Sequence, residues 1–266
     1  MNKTYNFPFG EKLKKVEQKD KSPKKAFVLG VYASAVHACW LDKDGKEKVK
    51  ALAVASEPEI FWRGENAEHI INNIRIPSEL GKLVSPKVKN LNGPSGVILD
   101  ELFLNPLGLN RDNTWLSDLL PESRVNEQQA KAIKKNYTED LVSEYNLQPA
   151  TIPLFSKGEL KKNASQRKLE ILMELKKSKA ETLILLGDLP IKWFLNLFDK
   201  TLQKLSDFGD NEDSYGKEHL INIDGITYKV IALCHPRNAG KLGSYSPKWW
   251  QLHDNWVKTK TTANKT

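Results

Sequence analysis

Residues 26–31, Ala-Phe-Val-Leu-Gly-Val, form an uninterrupted apolar run directly after Lys24 and Lys25. A run of this length suits a strand buried on both faces. Further strand-type runs follow at 114–119, 182–187 and 226–233, separated by segments long enough for helices. Strands alternating with helices predict an α/β fold. The expected architecture is a central, mostly parallel four-stranded sheet flanked by helices on both faces, with added β-hairpins. One hairpin joins 36–41 to 49–55 through Asp42-Lys43-Asp44-Gly45-Lys46. The other joins 219–223 to 226–233 through Asp224-Gly225. Each carries the Asp-Gly pair that favours a tight turn.

Helical spacing marks the intervening segments. Asn66 is the expected cap of a helix that turns Ile70, Ile71 and Ile74 to one face. The stretch 76–113 reads as largely irregular, with a short helix at 97–103. A helical pattern with several charges spans 125–145. The basic segment 157–179 reads as a helix or helix pair with Leu169, Leu172, Met173 and Leu175 as its buried stripe. Pro190 opens a helix that places Ile191, Phe194, Leu195, Phe198, Leu202 and Leu205 on one face, and 249–257 forms a closing helix.

Charge sits at the chain ends. The net charge is +8; residues 11–25 contribute +4 and the residues after Val257 contribute +3, leaving about +1 for everything between. The expected organisation is a basic N-terminal arm (1–25) anchored by Tyr5, Phe7, Pro8 and Phe9, a single α/β domain (26–257) and a basic C-terminal tail (258–266). Basic ends suit a polyanionic partner, although solvated tails account for them as well. The two cysteines, Cys39 and Cys234, are too few for an iron–sulfur cluster or a disulfide framework, and no Cys/His spacing reads as a zinc site. No cofactor, metal or cluster is therefore expected. Without a signal peptide or a membrane-length apolar stretch, the expectation is a cytoplasmic protein with no membrane partner.

Two segments carry the candidate chemistry: Leu29-Gly30-Val31-Tyr32-Ala33-Ser34-Ala35-Val36-His37 and Leu233-Cys234-His235-Pro236-Arg237-Asn238-Ala239-Gly240-Lys241. Each leaves an apolar strand and breaks into small, hydroxyl and imidazole residues. Ligands of open α/β sheets collect where strands end. His235 is followed by Pro236, which restricts the backbone before it, so a neutral imidazole there is a rigid hydrogen-bond donor. The alternative is a His that satisfies a local backbone group. For His37, packing is the better reading. Asp118 is read as ending the second strand, and Glu57 stands where the first hairpin returns; each suits ligand binding or water activation, or else a turn. Arg237, Lys241, Tyr245 and Lys248 share one loop with Trp249 and Trp250, an interleaving that suits phosphates and stacked bases. No G-x-G-x-x-G follows the first strand, Gly240-Lys241 lacks the rest of a phosphate loop, and no G-x-S-x-G elbow exists.

Taken together, these segments resemble the uracil-DNA glycosylase superfamily, over roughly residues 26 to 256. The Gly30–His37 segment matches the Gly-led motif at the end of the family's first strand. Asp118 falls where the family places a base-reading Asn. Leu185-Leu186-Gly187-Asp188 is similar to its strand-to-helix turn, and His235-Pro236 to its last motif. Phe61-Trp62-Arg63-Gly64 is similar to the segment whose aromatic ring stacks on the base. The resemblance implies a DNA glycosylase-like hydrolase that cleaves the N-glycosidic bond of a flipped base, whether uracil, cytosine-type or modified. The implied partner is single- or double-stranded DNA. Implied roles are His235, Asp118 and Glu57 in catalysis; Gly30, Tyr32, Ser34, Phe61, Trp62 and Asn238 in substrate binding; and Arg237, Lys241, Leu242, Tyr245 and Lys248 in DNA binding. The chain departs from the family at Tyr32, which stands where the water-activating acid is usual. Two other readings are kept: a non-catalytic nucleic-acid-binding module of the same fold, and a nucleoside or nucleotide hydrolase.

Overall fold

The structure, a computed structural model, describes residues 5–87 and 91–263. In chain order the elements are β1 (Ala26–Tyr32), β2 (Ala35–Leu41), β3 (Glu47–Ser56), α1 (Ala67–Asn72), β4 (Lys82–Val84), α2 (Pro94–Leu99), β5 (Thr114–Leu120), α3 (Glu127–Asn136), α4 (Glu139–Glu144), α5 (Lys157–Ser178), β6 (Thr182–Leu186), α6 (Asp188–Trp193), β7 (Glu218–Ile223), β8 (Ile226–Leu233), α7 (Pro236–Ala239) and α8 (Pro247–Ala263). The chain divides into two compact units, each assembled from separated stretches: Met1–Val16, Tyr32–Pro94 and Pro121–Ser156 in the first; Glu17–Val31, Ser95–Leu120 and Lys157–Thr266 in the second.

The first unit holds a three-stranded antiparallel sheet in the order β3-β2-β4. The Asp42 carboxylate accepts the backbone N–H of Asp44 at 3.0 Å and of Lys46 at 2.8 Å, which closes the β2–β3 turn. Trp40, Val54, Trp62 and Ile71 form its core. The N-terminal arm is part of that core. Phe9 meets the Trp40 ring edge-on at 5.1 Å and the Tyr137 ring at 5.2 Å, and Phe7 is fully buried. The helix expected after Asn66 forms, but Asn66 adopts a left-handed backbone (φ 59°) and makes no side-chain cap. The expected helical stretch 125–145 is two helices, α3 and α4, each capped by the residue before it, Asn126 and Thr138.

The second unit holds a five-stranded sheet in the order β5-β1-β6-β8-β7. β1, β6 and β8 run parallel, while β7 pairs antiparallel with β8. The fold is thus α/β, with a mixed, mostly parallel sheet and a separate small antiparallel one. The expected four strands become five because the 219–233 hairpin adds its first arm to the sheet edge. Residues Leu183–Leu186 of β6 are fully buried, as an apolar run at the sheet centre requires. Three expectations are corrected here. Leu169 and Met173 of α5 are 61% and 63% exposed, whereas Leu160, Arg167, Ile171 and Leu175 are buried. α6 ends at Trp193 and is followed by a single 3-10 turn, Leu195–Leu197, so the helix does not continue to Leu205. The basic C-terminal segment is helical through residue 263, and its last lysine, Lys265, lies outside the described residues.

Candidate functional site

The second unit brings the end of β8 against the end of β6. The Gly187 N–H donates to the Leu233 carbonyl at 2.8 Å. Gly187 has φ +85°, and a Cβ built there would lie 3.4 Å from the Cβ of His235. The positive φ, rather than lack of room, calls for glycine. His235 itself is extended (φ −66°, ψ 144°), as a residue before proline should be. Pro236 then opens α7 at the one position where a missing N–H costs nothing.

The imidazole caps that short helix. Its Nδ1 accepts the Arg237 backbone N–H at 3.1 Å. The His235 carbonyl accepts the N–H of Asn238 at 2.8 Å and of Ala239 at 3.4 Å. A ring whose Nδ1 accepts carries its proton on Nε2 when neutral. Burial, helped by the positive charge of Arg237, holds the ring well below the ordinary 6.5, at about 4. His235 is thus a neutral Nε2–H donor across the neutral pH range. The local-satisfaction alternative weighed in the sequence is met by Nδ1 alone.

The loop behind it is exposed and basic. Arg237, Lys241 and Lys248 are exposed, and Tyr245 is 37% exposed. The Lys241 ammonium lies 3.5 Å over the Trp250 ring, and Lys248 pairs with Asp210 at 2.6 Å. The Asn238 Oδ1 accepts the Ser246 N–H at 2.9 Å and closes the loop. Leu242 is partly buried, its N–H bonded to the Arg237 carbonyl at 2.9 Å.

Asp118 lies inside β5 rather than at its end, and it is 2% exposed. Its Oδ1 has no hydrogen-bond partner among the described residues. Burial pushes the carboxyl up to about 7, with Arg167 opposing and Glu174 adding to the shift. Near neutral pH the acid and the carboxylate coexist. β5 and β8 stand three places apart in the sheet, about 14 Å at ordinary strand spacing. Gly30 is buried within β1, between those strands.

The remaining sequence candidates belong to the first unit. The Tyr32 ring stacks on Phe155 at 4.7 Å. Glu57, 8% exposed, accepts the Ser34 N–H at 3.2 Å. The Ser34 carbonyl takes the Ser123 hydroxyl, and the Ala33 carbonyl takes the Arg124 N–H at 3.3 Å. Phe61 sits in a turn with φ +50°, a strained backbone for a non-glycine residue. Trp62 cannot stack on a base. It is 2% exposed, sits in the core and donates its indole N–H to the Glu65 carbonyl at 3.1 Å. His37 is packed as expected, with its Nε2 2.6 Å from the Gln129 amide.

A cavity of about 10 Å³ lies elsewhere in the second unit, lined by Leu119, Leu160, Arg167, Lys168, Ile171 and Trp193. It has room for one water at most. Among the described residues no group of three or more His, Cys, Asp and Glu side chains is placed to hold a metal ion, and no helix is long and apolar enough to cross a membrane. The Cys234 thiol is pushed up to about 12 by burial and stays protonated.

These shifts set an acid-side stability limit. Burial holds His37, His235 and His253 at about 4, so between pH 6.5 and 4 the unfolded chain binds three more protons on them than the folded one. Asp118 works in the opposite sense, because its acid form is the folded one up to about pH 7. On these four groups the unfolded state still binds a net two protons more, so stability falls as pH falls through this window. The urea midpoint is expected to be lower at pH 5 than at pH 6.5; an equal or higher midpoint contradicts the assignment.

No protein-family model and no curated protein sequence matches this chain.

Proposed function

We propose that the chain is a DNA glycosylase-like hydrolase that releases a base turned out of the DNA stack. The observation that carries this reading is the His235 ring: a neutral imidazole, locked by a backbone N–H on Nδ1, with Nε2–H as a donor at the end of β8. Breaking an N-glycosidic bond leaves positive charge on the sugar and negative charge on the departing base; water then adds to C1′ of the sugar, and the proton it loses ends on the base. A fixed donor at the base oxygen stabilises that charge as it develops. A neutral donor does so without having to surrender a proton. The exposed Arg237, Lys241 and Tyr245 directly behind the ring suit phosphates and a stacked base.

Asp118 is assigned to the far edge of the base. Its strand lies three places from that of His235 and its side chain is 2% exposed, so this role requires the base to displace the protein that covers the carboxyl. Its unpartnered Oδ1 is the kind of group that a ligand's N–H would satisfy. As the acid it both donates and accepts, which suits a uracil-type edge. As the carboxylate it only accepts, which suits the amino group of a cytosine-type base.

The test uses duplex and single-stranded oligonucleotides carrying uracil, cytosine or modified cytosines, incubated with the protein and then heated in alkali. Strand scission at the marked base is expected. The ratio of cytosine-type to uracil release should rise as pH passes upward through about 7, and Asp118→Asn should flatten it. A ratio indifferent to both pH and Asp118→Asn removes Asp118 from base recognition. Retarded but uncut DNA would instead favour a binding module. Turnover of a free nucleoside alone would favour the small-molecule hydrolase.

A further inference from the structure

Cys234, the residue before His235, donates its backbone N–H to the Tyr215 hydroxyl oxygen at 2.8 Å. That oxygen lies 2.8 Å from Nδ1 of His253, and Nε2 of His253 lies 3.0 Å from the Leu102 carbonyl. The two ends of this chain are backbone groups whose roles are fixed, since an N–H only donates and a carbonyl only accepts. With the His253 ring neutral, every bond between them therefore has one direction. Nε2–H of His253 donates to Leu102, Nδ1 accepts the Tyr215 O–H, and the Tyr215 oxygen accepts from Cys234.

The relay is built to stay in this state. The His253 ring is held between Phe103, at 4.2 Å, and Trp256, at 5.2 Å. Gly216, next to Tyr215, has φ +68°, and a Cβ there would lie 2.4 Å from the Trp256 indole nitrogen. Leu102 belongs to a single π turn, Asp100–Leu104, that continues α2. Such turns are uncommon and often accompany function. Burial holds His253 at about 4, against the opposing charge of Asp254, and keeps Tyr215 un-ionised well beyond its ordinary range. A proton on His253 Nδ1 would oppose the Tyr215 O–H and break the chain.

We infer that Tyr215 and His253 are positioning residues for His235, fixing the backbone on its N-terminal side as the Arg237 N–H fixes its ring on the other. Only the effect on rate rests on the glycosylase reading. The effect on the His235 ring is read without substrate.

The experiment is two-bond 1H–15N NMR of the histidine rings in the full chain, comparing wild type with Tyr215→Phe and His253→Phe, with His235→Asn used to assign the signal. In wild type His235 should be the Nε2–H tautomer with a protonation midpoint near 4. In either variant the His235 ring should become a mixture of tautomers, and its midpoint should rise by about one pH unit or more toward the ordinary histidine value. His253→Phe keeps a ring between Phe103 and Trp256, so it serves if Tyr215→Phe does not fold. A His235 signal unchanged in tautomer and midpoint in a folded variant overturns the inference, even if the melting temperature falls. In the strand-scission assay kcat should fall on the order of 10- to 100-fold with KM unchanged. Absence of scission by the wild type would sink the proposed activity while leaving the NMR result to decide this inference.

Discussion

His235→Asn is expected to lower the rate of base release by about 100-fold or more while the protein stays folded and bound to DNA. The magnitude is that of removing one preorganised donor from a site where charge develops. Asparagine is chosen because His235 does two jobs. Its Nδ1 caps α7 by accepting the Arg237 N–H, and asparagine is among the best N-cap residues. The variant thus keeps the cap and deletes the donor on the far side of the ring. His235→Ala removes both, so it should show the same loss of rate with added loss of stability. Retention on DNA is read by gel shift across a salt series, because Arg237, Lys241 and Lys248 are untouched by either change. The pH profile makes the same point. The donor is the neutral ring, so below the Asp118 transition near 7 the wild-type rate on uracil should hold steady until the pH drops toward 4. Equal loss of binding and cleavage in His235→Asn would assign the residue to the loop's structure alone.

The strands were the most legible part of the sequence. Apolar runs such as 26–31 and 182–186 have no alternative to burial, and both became central strands. β4, three residues long, is too short to show alternation and was hidden in a stretch that reads as irregular. Helical spacing marked α5 and only part of its inward face: Leu172 and Leu175 are buried as expected. Leu169 and Met173 are apolar yet exposed, while a charged residue, Arg167, lies on the buried stripe with Leu160, Ile171 and Leu175. Composition ranks Arg as a surface residue, and only its partners explain its place inside. The same limit applies to the site. Pro236 fixed the backbone of His235 through local sterics, which a sequence displays. Whether an aromatic faces solvent is decided by packing from distant segments, so Trp62 read as a stacking platform and is core. Tyr215 and His253 lie 38 residues apart with no spacing that joins them. Only the tertiary fold could bring them to Cys234.

Arg167→Ala is expected to destabilise the protein by about 3 kcal/mol or more, in the range found when one partner of a buried charge network is removed. All five guanidinium donors are used. Nε and Nη2 donate to the Asp118 carbonyl at 3.0 and 2.9 Å, and Nη2 also to the Ser117 hydroxyl at 2.9 Å. Nη1 takes the carboxylates of Glu170 at 2.8 Å and Glu174 at 2.7 Å. β5 ends the sheet, and an edge strand leaves a row of carbonyls and N–H groups without partners. Arg167 covers the Asp118 carbonyl, and the Gln18 side chain accepts the Leu116 N–H at 3.1 Å. Two side chains thus stand in for the missing strand. Truncation strands the Asp118 carbonyl, while the Ser117 hydroxyl keeps its bond to Glu174, and Glu170 and Glu174, 29% and 26% exposed, regain part of their hydration. That partial hydration sets the expected loss at the lower end of the range. Arg167→Lys should recover only a small part, since an ammonium has three donors and no planar fork. Urea denaturation of the three proteins at pH 7 measures the loss. An unfolding free energy for Arg167→Ala within about 0.5 kcal/mol of wild type, the scatter of ordinary surface changes, would mean that the edge is held by other contacts.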